Sequence, residues 1–300
     1  MVEAREDLTG RYRQGQRKNQ DFMTTEVHRC AYLAARMPAT FSVIQRVLLE
    51  VRSRMPDHSF NSLLDLGAGP GTAMWAACGV FPQIERITLV EKDPELAKLG
   101  QRLASHSDSQ AIREAHWQWD DLSRNNSFPQ HGLIVLSYSV GELSPSAIQP
   151  LIDSCWNSTA RCLVVIEPGT PVGFERIRAI RSQLISLGAH LAAPCPHALA
   201  CPMAGGDWCH FSERVERSSL HRRLKGGTLG YEDEKYSYVA VSKTPVDLPN
   251  SRVLRHPLKR SGHVLLTLCT AKEGLKQETV SKRTPEAYKL ARKLEWGDSF

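Results

Sequence analysis

Short apolar runs alternate with helical periods through the middle of the chain. Ser62–Leu66 reads as an apolar strand, followed by a glycine-rich turn and a helix from about Thr72. Arg86–Glu91 is the next strand, with Ile87, Leu89 and Val90 apolar. Asp93 and Pro94 then open a helix running to about Ala104. His116–Trp119, Leu133–Ser137 and Cys162–Glu167 read as further strands, and Phe174–Leu187 as a helix. Strands and helices in this alternation imply a parallel sheet with helices on both faces. Upstream, 22–37 and 40–54 read as two helices, with Pro38 between them and Thr40 as the second N-cap. After Gly188 the periodicity lapses, and strands return at Tyr236–Val241 and Val264–Cys269, a pair expected to close the sheet edge antiparallel. The expected division is an N-terminal arm and helices over 1–58, an α/β core over 59–188 and a cysteine-rich insertion over 189–235. The last core strands then occupy 236–281 and a basic tail 282–300.

Composition narrows the class. Hydrophobic residues make up 41% and charged residues 23%, ordinary globular usage that excludes wholesale disorder. Apolar stretches such as Leu133–Leu136 and Cys162–Ile166 are far shorter than the ~20 residues of a membrane-spanning helix, so no membrane role is expected. The first residues include Glu3, Glu6 and Asp7 and no apolar segment. That argues against a secretory signal and favours a bacterial cytoplasm over a mitochondrial matrix. The net charge of +6 is uneven: 210–300 hold 18 Lys and Arg against 11 Asp and Glu, the rest 20 against 21. The excess positive charge therefore lies in the last third, where it would attract a polyanion such as RNA or DNA.

The run Leu64-Asp65-Leu66 enters Gly67-Ala68-Gly69-Pro70-Gly71-Thr72. Glycines at alternate positions let the backbone turn sharply and approach a ligand, and the following helix presents its N-terminal amides. Glu91 ends the next strand, where a carboxylate accepts both ribose hydroxyls of a nucleoside. The spacing G-x-G-x-G, preceded by Asp65, departs from the dinucleotide G-x-G-x-x-G and resembles motif I of class I S-adenosylmethionine (SAM) methyltransferases. In that family the acid of the loop lies near the methionine amino group, and Asp120 or Asp121 stands where adenine is contacted. After the fourth strand, Ser137-Tyr-Ser-Val-Gly-Glu-Leu143 lacks the Asn/Asp-Pro-Pro-aromatic motif of amino-methylating members. Tyr138 and Glu142 either face a methyl group or are structural, and neither is assigned as a general base.

Three of the eight cysteines, Cys195, Cys201 and Cys209, fall in loop-like sequence with His197 and His210 beside them. A loop without an apolar core needs another staple, and a metal supplies one. Cys269, ending the last strand, is the natural fourth ligand. Zinc on the three cysteines with His210 or His197 and an iron–sulfur cluster on four cysteines are nearly even on spacing alone. Tyr231, Tyr236 and Tyr238 stack on bases or belong to the core.

These motifs together resemble the methyltransferase-like family of small ribosomal subunit assembly, which has bacterial and mitochondrial members. The marks are Tyr12-Arg13, Arg36-Met-Pro-Ala-Thr40, Leu64–Thr72, Val90-Glu-Lys-Asp93, Ser137–Leu143 and Glu167-Pro-Gly-Thr-Pro171. Cys195-Pro-His197, Cys201-Pro202, Trp208-Cys-His-Phe211, Tyr236-Ser-Tyr238 and the strand ending at Cys269 complete them. The resemblance implies a class I SAM-methyltransferase, Rossmann-like α/β fold with N-terminal helices and a cysteine-rich insertion before the last two strands. It implies SAM at Asp65, Gly67, Gly69, Gly71, Glu91, Asp120 and Asp121, and a [4Fe-4S] cluster on Cys195, Cys201, Cys209 and Cys269. It further implies a monomer that binds the small ribosomal subunit and its rRNA to support assembly. The alternative is an active SAM-dependent rRNA methyltransferase.

Overall fold

The computed structural model describes residues 25–124 and 127–300, with Glu3 and Asp7 besides; the rest of the N-terminal arm, including Tyr12 and Arg13, lies outside the described residues. Thr25 caps α1 (Glu26–Ala35), its hydroxyl oxygen accepting from the His28 amide at 3.2 Å. α2 (Met37–Arg54) follows after one residue. The sequence pattern places Pro38 between two helices; the structure puts it in the first turn of α2, where a missing N–H breaks no helical bond. Thr40 is not an N-cap: its hydroxyl donates to the carbonyls of Arg36 and Met37 inside the helix.

The chain divides into two compact units, the first made of Met1–Leu49, Ser59–Ala160 and Glu213–Glu234. Its strands β1 (Ser62–Leu66), β2 (Arg86–Glu91), β3 (His116–Trp119) and β4 (His131–Ser137) lie parallel in the order β3-β2-β1-β4. β1 is buried throughout and β4 nearly so, which is why both read as continuous apolar runs rather than alternating ones. α3 (Thr72–Val80), α4 (Pro94–Ala104), α5 (Gln110–Arg113) and α6 (Pro145–Ser158) are its intervening helices. Asp93 caps α4, accepting from the Glu95 and Leu96 amides, so the chain turns immediately after β2. α6, with Pro150 inside it, gave no clear helical signal.

The second unit holds Glu50–His58, Arg161–Ser212 and Lys235–Phe300. β5 (Thr159–Pro168), α7 (Pro171–Ser186) and β6 (His190–Ala193) come first in the chain; β7 (Phe211–Glu216) and β8 (Tyr231–Ser242) are each divided between the two units, and α8 (Ser219–Lys225) belongs to the first. β5 and β6 flank β8, both antiparallel to it, and β7 also pairs with β8. The parallel run β3-β2-β1-β4 and the antiparallel strand between β5 and β6 are the strand set of the class I SAM-methyltransferase fold.

Two expectations are corrected here. The stretch 189–235 is not featureless, since it carries β6, β7, α8 and the start of β8. Val264–Cys269 does not pair with Tyr236–Val241. It belongs to a second, four-stranded sheet of β9 (Ser251–Val253), β10 (Leu258–Lys259), β11 (His263–Thr270) and β12 (Gly274–Ser281). Along β11, Val264, Leu266 and Leu268 are buried while Leu265 is exposed, the alternation of a one-sided sheet. That sheet has its own core of Val253, Val264, Leu266, Leu268 and Val280 with Ala291 of α9 (Pro285–Ala291) and Leu294.

Candidate functional site

The first centre lies in the first unit, at the C-terminal ends of β1, β2 and β4. Gly67, Gly69 and Gly71 take φ of +72°, +56° and +83°. At Gly67 the positive φ combines with a close approach, because a Cβ there would collide with the Cβ of Ser139. Ser139 is fixed in turn by its hydroxyl, which donates to the Leu66 carbonyl at 3.0 Å. The amides of Gly67 and Ala68 donate to the Val90 carbonyl at 2.9 and 3.0 Å, tying the loop to β2. Glu91 accepts from the Gly69 amide at 2.7 Å and from the Asp93 amide at 2.8 Å. Burial pushes its carboxyl above the usual range, against those two amides. Its oxygens keep lone pairs beyond these two bonds, so it remains able to accept ribose hydroxyls.

Asp65 is 0% exposed, and neither carboxylate oxygen has a hydrogen bond of ordinary geometry. Burial pushes its pKa up to about 7, with the Met74 amide pulling the other way and Glu91 adding to the rise. An orphaned buried acid beside a loop that admits no side chain fits a ligand that brings a cation. Around the rim, Lys92 pairs with Glu142 at 3.2 Å, and Arg29 of α1 grips Asp93 through Nε and Nη2, both at 3.1 Å. Asp120 and Asp121 follow β3 and are part-buried; Asp120 accepts from the Asp121 amide and Asp121 from the Ser123 amide.

The second centre lies in the second unit. Cys195, Cys201, Cys209 and Cys269 all line one cavity of about 40 Å³, with Phe174, Met203 and Leu254 as apolar walls. The thiols bear on one another: Cys209 is raised well above the usual thiol range, by burial first and then by the other three cysteines. Burial pushes Cys269 up to about 12. Two buried cations face the same cavity. Arg181 donates through Nη2 to the carbonyls of His197 and Leu199 at 2.7 and 2.9 Å, and it draws the Cys195 thiol down against the larger effect of burial. Arg252, 2% exposed, donates to the carbonyls of Pro194 and Gly297 and to Glu50 at 2.9, 2.7 and 2.7 Å.

The four thiols are soft-metal donors in type and number. Among the described residues, however, no group of three or more His, Cys, Asp or Glu side chains is arranged to hold a metal ion. Zinc holds its ligands at about 2.0–2.3 Å from one centre, so the present spacing does not fit one zinc ion. His197 lines the cavity, with Nε2 3.6 Å from Cys269 Sγ, whereas His210 does not; it stacks on Trp208 at 5.0 Å. Tyr236 and Tyr238 are buried with Phe211 in an aromatic cluster, not set out for stacking on bases. Much of the basic excess is neutralised locally, as in Arg214 with Asp233, Arg217 and Lys225 with Glu232, and Lys259 with Glu295. Arg222, Arg223, Lys282 and Arg283 stay exposed.

No role is expected from the sequence for Arg29, Arg36 or Arg181, and Arg252, expected with the basic residues near the cysteines to contact phosphates, is instead buried and internally bonded. The first two sit seven apart around Tyr32, a helical spacing that puts all three on one face of α1. The last two carry no local signal, because their partners are backbone carbonyls distant in sequence.

A family profile described as mitochondrial small ribosomal subunit Rsm22 matches residues 26–300. The chain belongs to this family. It is 26% identical over 298 residues to the human mitochondrial ribosome assembly protein METTL17, covering 93% of this chain and 64% of that protein. It is also 26% identical over 332 residues to the Rsm22-cox11 tandem protein 2 of Schizosaccharomyces pombe, covering 90% of this chain and 42% of that one. The chain thus spans about half the length of the curated relatives it matches. Among solved structures, a magnesium protoporphyrin IX methyltransferase from Synechocystis PCC 6803 aligns at 10% identity and a TM-score of 0.43, covering 75% of this chain and 90% of that one; the fold assignment rests on strand order and not on this likeness. The bacterial cytoplasm expected from the first residues is contradicted, since the family and these relatives are mitochondrial. The expectation rested on the composition of the first twenty residues, a far smaller sample than a match over 26–300.

Proposed function

We propose that this chain supports assembly of the mitochondrial small ribosomal subunit by docking on its rRNA, with a [4Fe-4S] cluster on Cys195, Cys201, Cys209 and Cys269 holding the docking surface in shape. The observation that carries the reading is the convergence of four cysteines from separate loops and β11 on one cavity flanked by Arg181 and Arg252. Buried thiols raised this far in pKa are poor thiolates by themselves, and a bound metal centre would compensate the charge they take on when ionised. The exposed Arg222, Arg223, Lys282 and Arg283 are available for phosphates. Family membership supports the ribosomal role.

SAM is the ligand proposed for the glycine loop. Glu91 would take the ribose, Asp65 the methionyl amino end, and Asp120 or Asp121 the adenine, with Gly67, Gly69 and Gly71 giving the backbone clearance. In this reading the ligand is structural or regulatory. The intact loop and the placement of Glu91 also favour a second reading, methyl transfer to small-subunit rRNA.

Anaerobic purification with iron and sulfide analysis, joined to rescue of subunit assembly in cells lacking the relative, tests the first reading. Wild-type protein is expected to carry iron and sulfide and to restore the subunit on sucrose gradients. A variant with all four cysteines changed to Ser that restores it equally well overturns the cluster's role. For the second reading, rRNA modification is compared by mass spectrometry between wild type and a folded Gly67→Arg/Gly69→Arg variant. Loss of one methyl group identifies an enzyme and its nucleotide; an unchanged profile ends that reading.

A further inference from the structure

Arg36, Tyr32 and Arg29 form a stripe on α1 that runs along the rim of the glycine loop, with Arg36 at the C-cap. Tyr32 packs on Leu96, and its hydroxyl lies 4.0 Å from where a Cβ on Gly69 would stand. The charges that bear on this hydroxyl are Arg36, Glu142, Glu91 and Asp65, so one phenol samples the whole site. Two of the cations here are matched one to one: Arg29 on Asp93 and Lys92 on Glu142. Among the described residues, Asp65 and Glu91 make no ion pair.

Arg36 is held differently. Its Nη1 pairs with Glu234 at 2.8 Å, and its guanidinium lies 5.2 Å over the ring of Tyr138. Tyr138 follows β4 directly and takes φ +58°, the one positive φ at a non-glycine among the described residues. That conformation is costly for an aromatic residue, and here it carries the ring to Arg36. Glu234 and Tyr138 thus fix one edge and one face of a planar fork that has five N–H donors. No second acceptor among the described residues meets the rest of the fork. The site therefore offers two uncompensated acids and one oriented guanidinium. The methionyl end of SAM is the complement: an ammonium for Asp65 and a carboxylate for the fork, with Glu91 left to the ribose.

We infer that Arg36, oriented by Glu234 and Tyr138, recognises the α-carboxylate of the cofactor's amino-acid moiety and so selects amino-acid-bearing nucleosides over nucleosides that lack it. This rests on the reading of the glycine loop as a SAM site. It gives the Arg36-Met-Pro-Ala-Thr40 motif a ligand-facing role beyond starting α2.

Calorimetry of the full chain with SAM and with decarboxylated SAM, which differs by the carboxylate alone, tests the inference. Wild type is expected to bind SAM about tenfold to a hundredfold more tightly, the range of a charge-assisted hydrogen-bonded pair. Arg36→Gln should weaken SAM to the level of the decarboxylated ligand and leave the latter nearly unchanged, so that the two losses do not add. Arg36→Lys keeps the charge without the fork and should fall between. Equal wild-type affinity for both ligands overturns the inference even if Arg36→Gln fails to fold. So does an equal loss of both ligands in a folded Arg36→Gln protein. A wild-type chain that binds neither ligand instead overturns the reading of the loop as a SAM site.

Discussion

Arg252 stands directly opposite Cys269 where β9 pairs antiparallel with β11. Residues opposite in such a ladder share a face, so a buried guanidinium is locked beside the fourth thiol by backbone pairing. The guanidinium is also saturated, by two carbonyls and by Glu50, whose carboxyl is held below the usual range by Arg252 and Arg54 despite burial. Arg252→Leu leaves Glu50 half-buried without its main partner and two carbonyls without a donor. The expected cost is about 3–5 kcal/mol, the usual loss when one member of a buried pair is removed. Urea unfolding measures it, and a variant within about 1 kcal/mol of wild type would show that Arg252 does not hold the cavity together.

The four cavity cysteines should behave as a set. Cys195→Ser, Cys201→Ser, Cys209→Ser and Cys269→Ser are each expected to lower iron content to near the background of the quadruple variant. Cys155→Ser and Cys162→Ser are the controls, since both thiols are buried in the fold but do not line the cavity. Iron lost equally from the controls would mean that the cavity has no special claim on the metal.

The parallel half of the fold was readable because β1, β2 and β4 are buried almost throughout and turns such as those after β1 and β2 are punctuated by Gly, Asp or Pro. β1, β2, β3 and the start of α4 fall where the pattern puts them. The second sheet was not readable, because pairing partners leave no mark on a run such as Val264–Cys269; the same alternation suits an edge strand or a separate sheet. The glycine loop and the cysteines were legible as residue types at telling spacings. Arg181, Arg252 and the Arg36–Glu234 pair were not, since their partners are backbone atoms or an acid far along the chain. Asp65 was picked out by its place in the motif, yet its orphaned state depends on burial that no local pattern reports.

Asp65 gives the ligand-free protein a pH dependence of definite sign. Its pKa rises from 3.8 to about 7 on folding, so the folded chain binds the extra proton between those values. The contribution to stability is therefore greatest at low pH and is lost as pH rises through about 7. Asp65→Asn removes the penalty. Ligand-free Asp65→Asn should melt together with wild type near pH 4 and several degrees above it near pH 8, a gap on the order of a few kcal/mol. Wild type melting at or above the variant near pH 8 would refute the assignment.

Gly67 and Gly69 should respond unequally to alanine. Both take positive φ, but only at Gly67 does the new Cβ meet a fixed side-chain carbon; at Gly69 the nearest atom, from Leu96, is 3.7 Å away. Gly69→Ala is expected to cost about 1–2 kcal/mol from backbone strain alone. Gly67→Ala should cost more, because Ser139 must move and its bond to the Leu66 carbonyl is disturbed. Denaturant midpoints for the two variants check the order; equal midpoints would mean that Ser139 yields freely.

The cavity walls come from parts of the chain that appear at different times. Three thiols, on the loops from Cys195 to Cys209, emerge well before Cys269 on β11. At typical elongation speeds the gap is on the order of several seconds. During that interval the growing chain displays three soft donors without the strand that completes and covers them. An early metal or oxidant therefore meets an unfinished vessel, whereas Arg252 and Cys269 arrive nearly together and close it from one side. The order in which the residues are joined thus gives late sequence control over what the early loops retain.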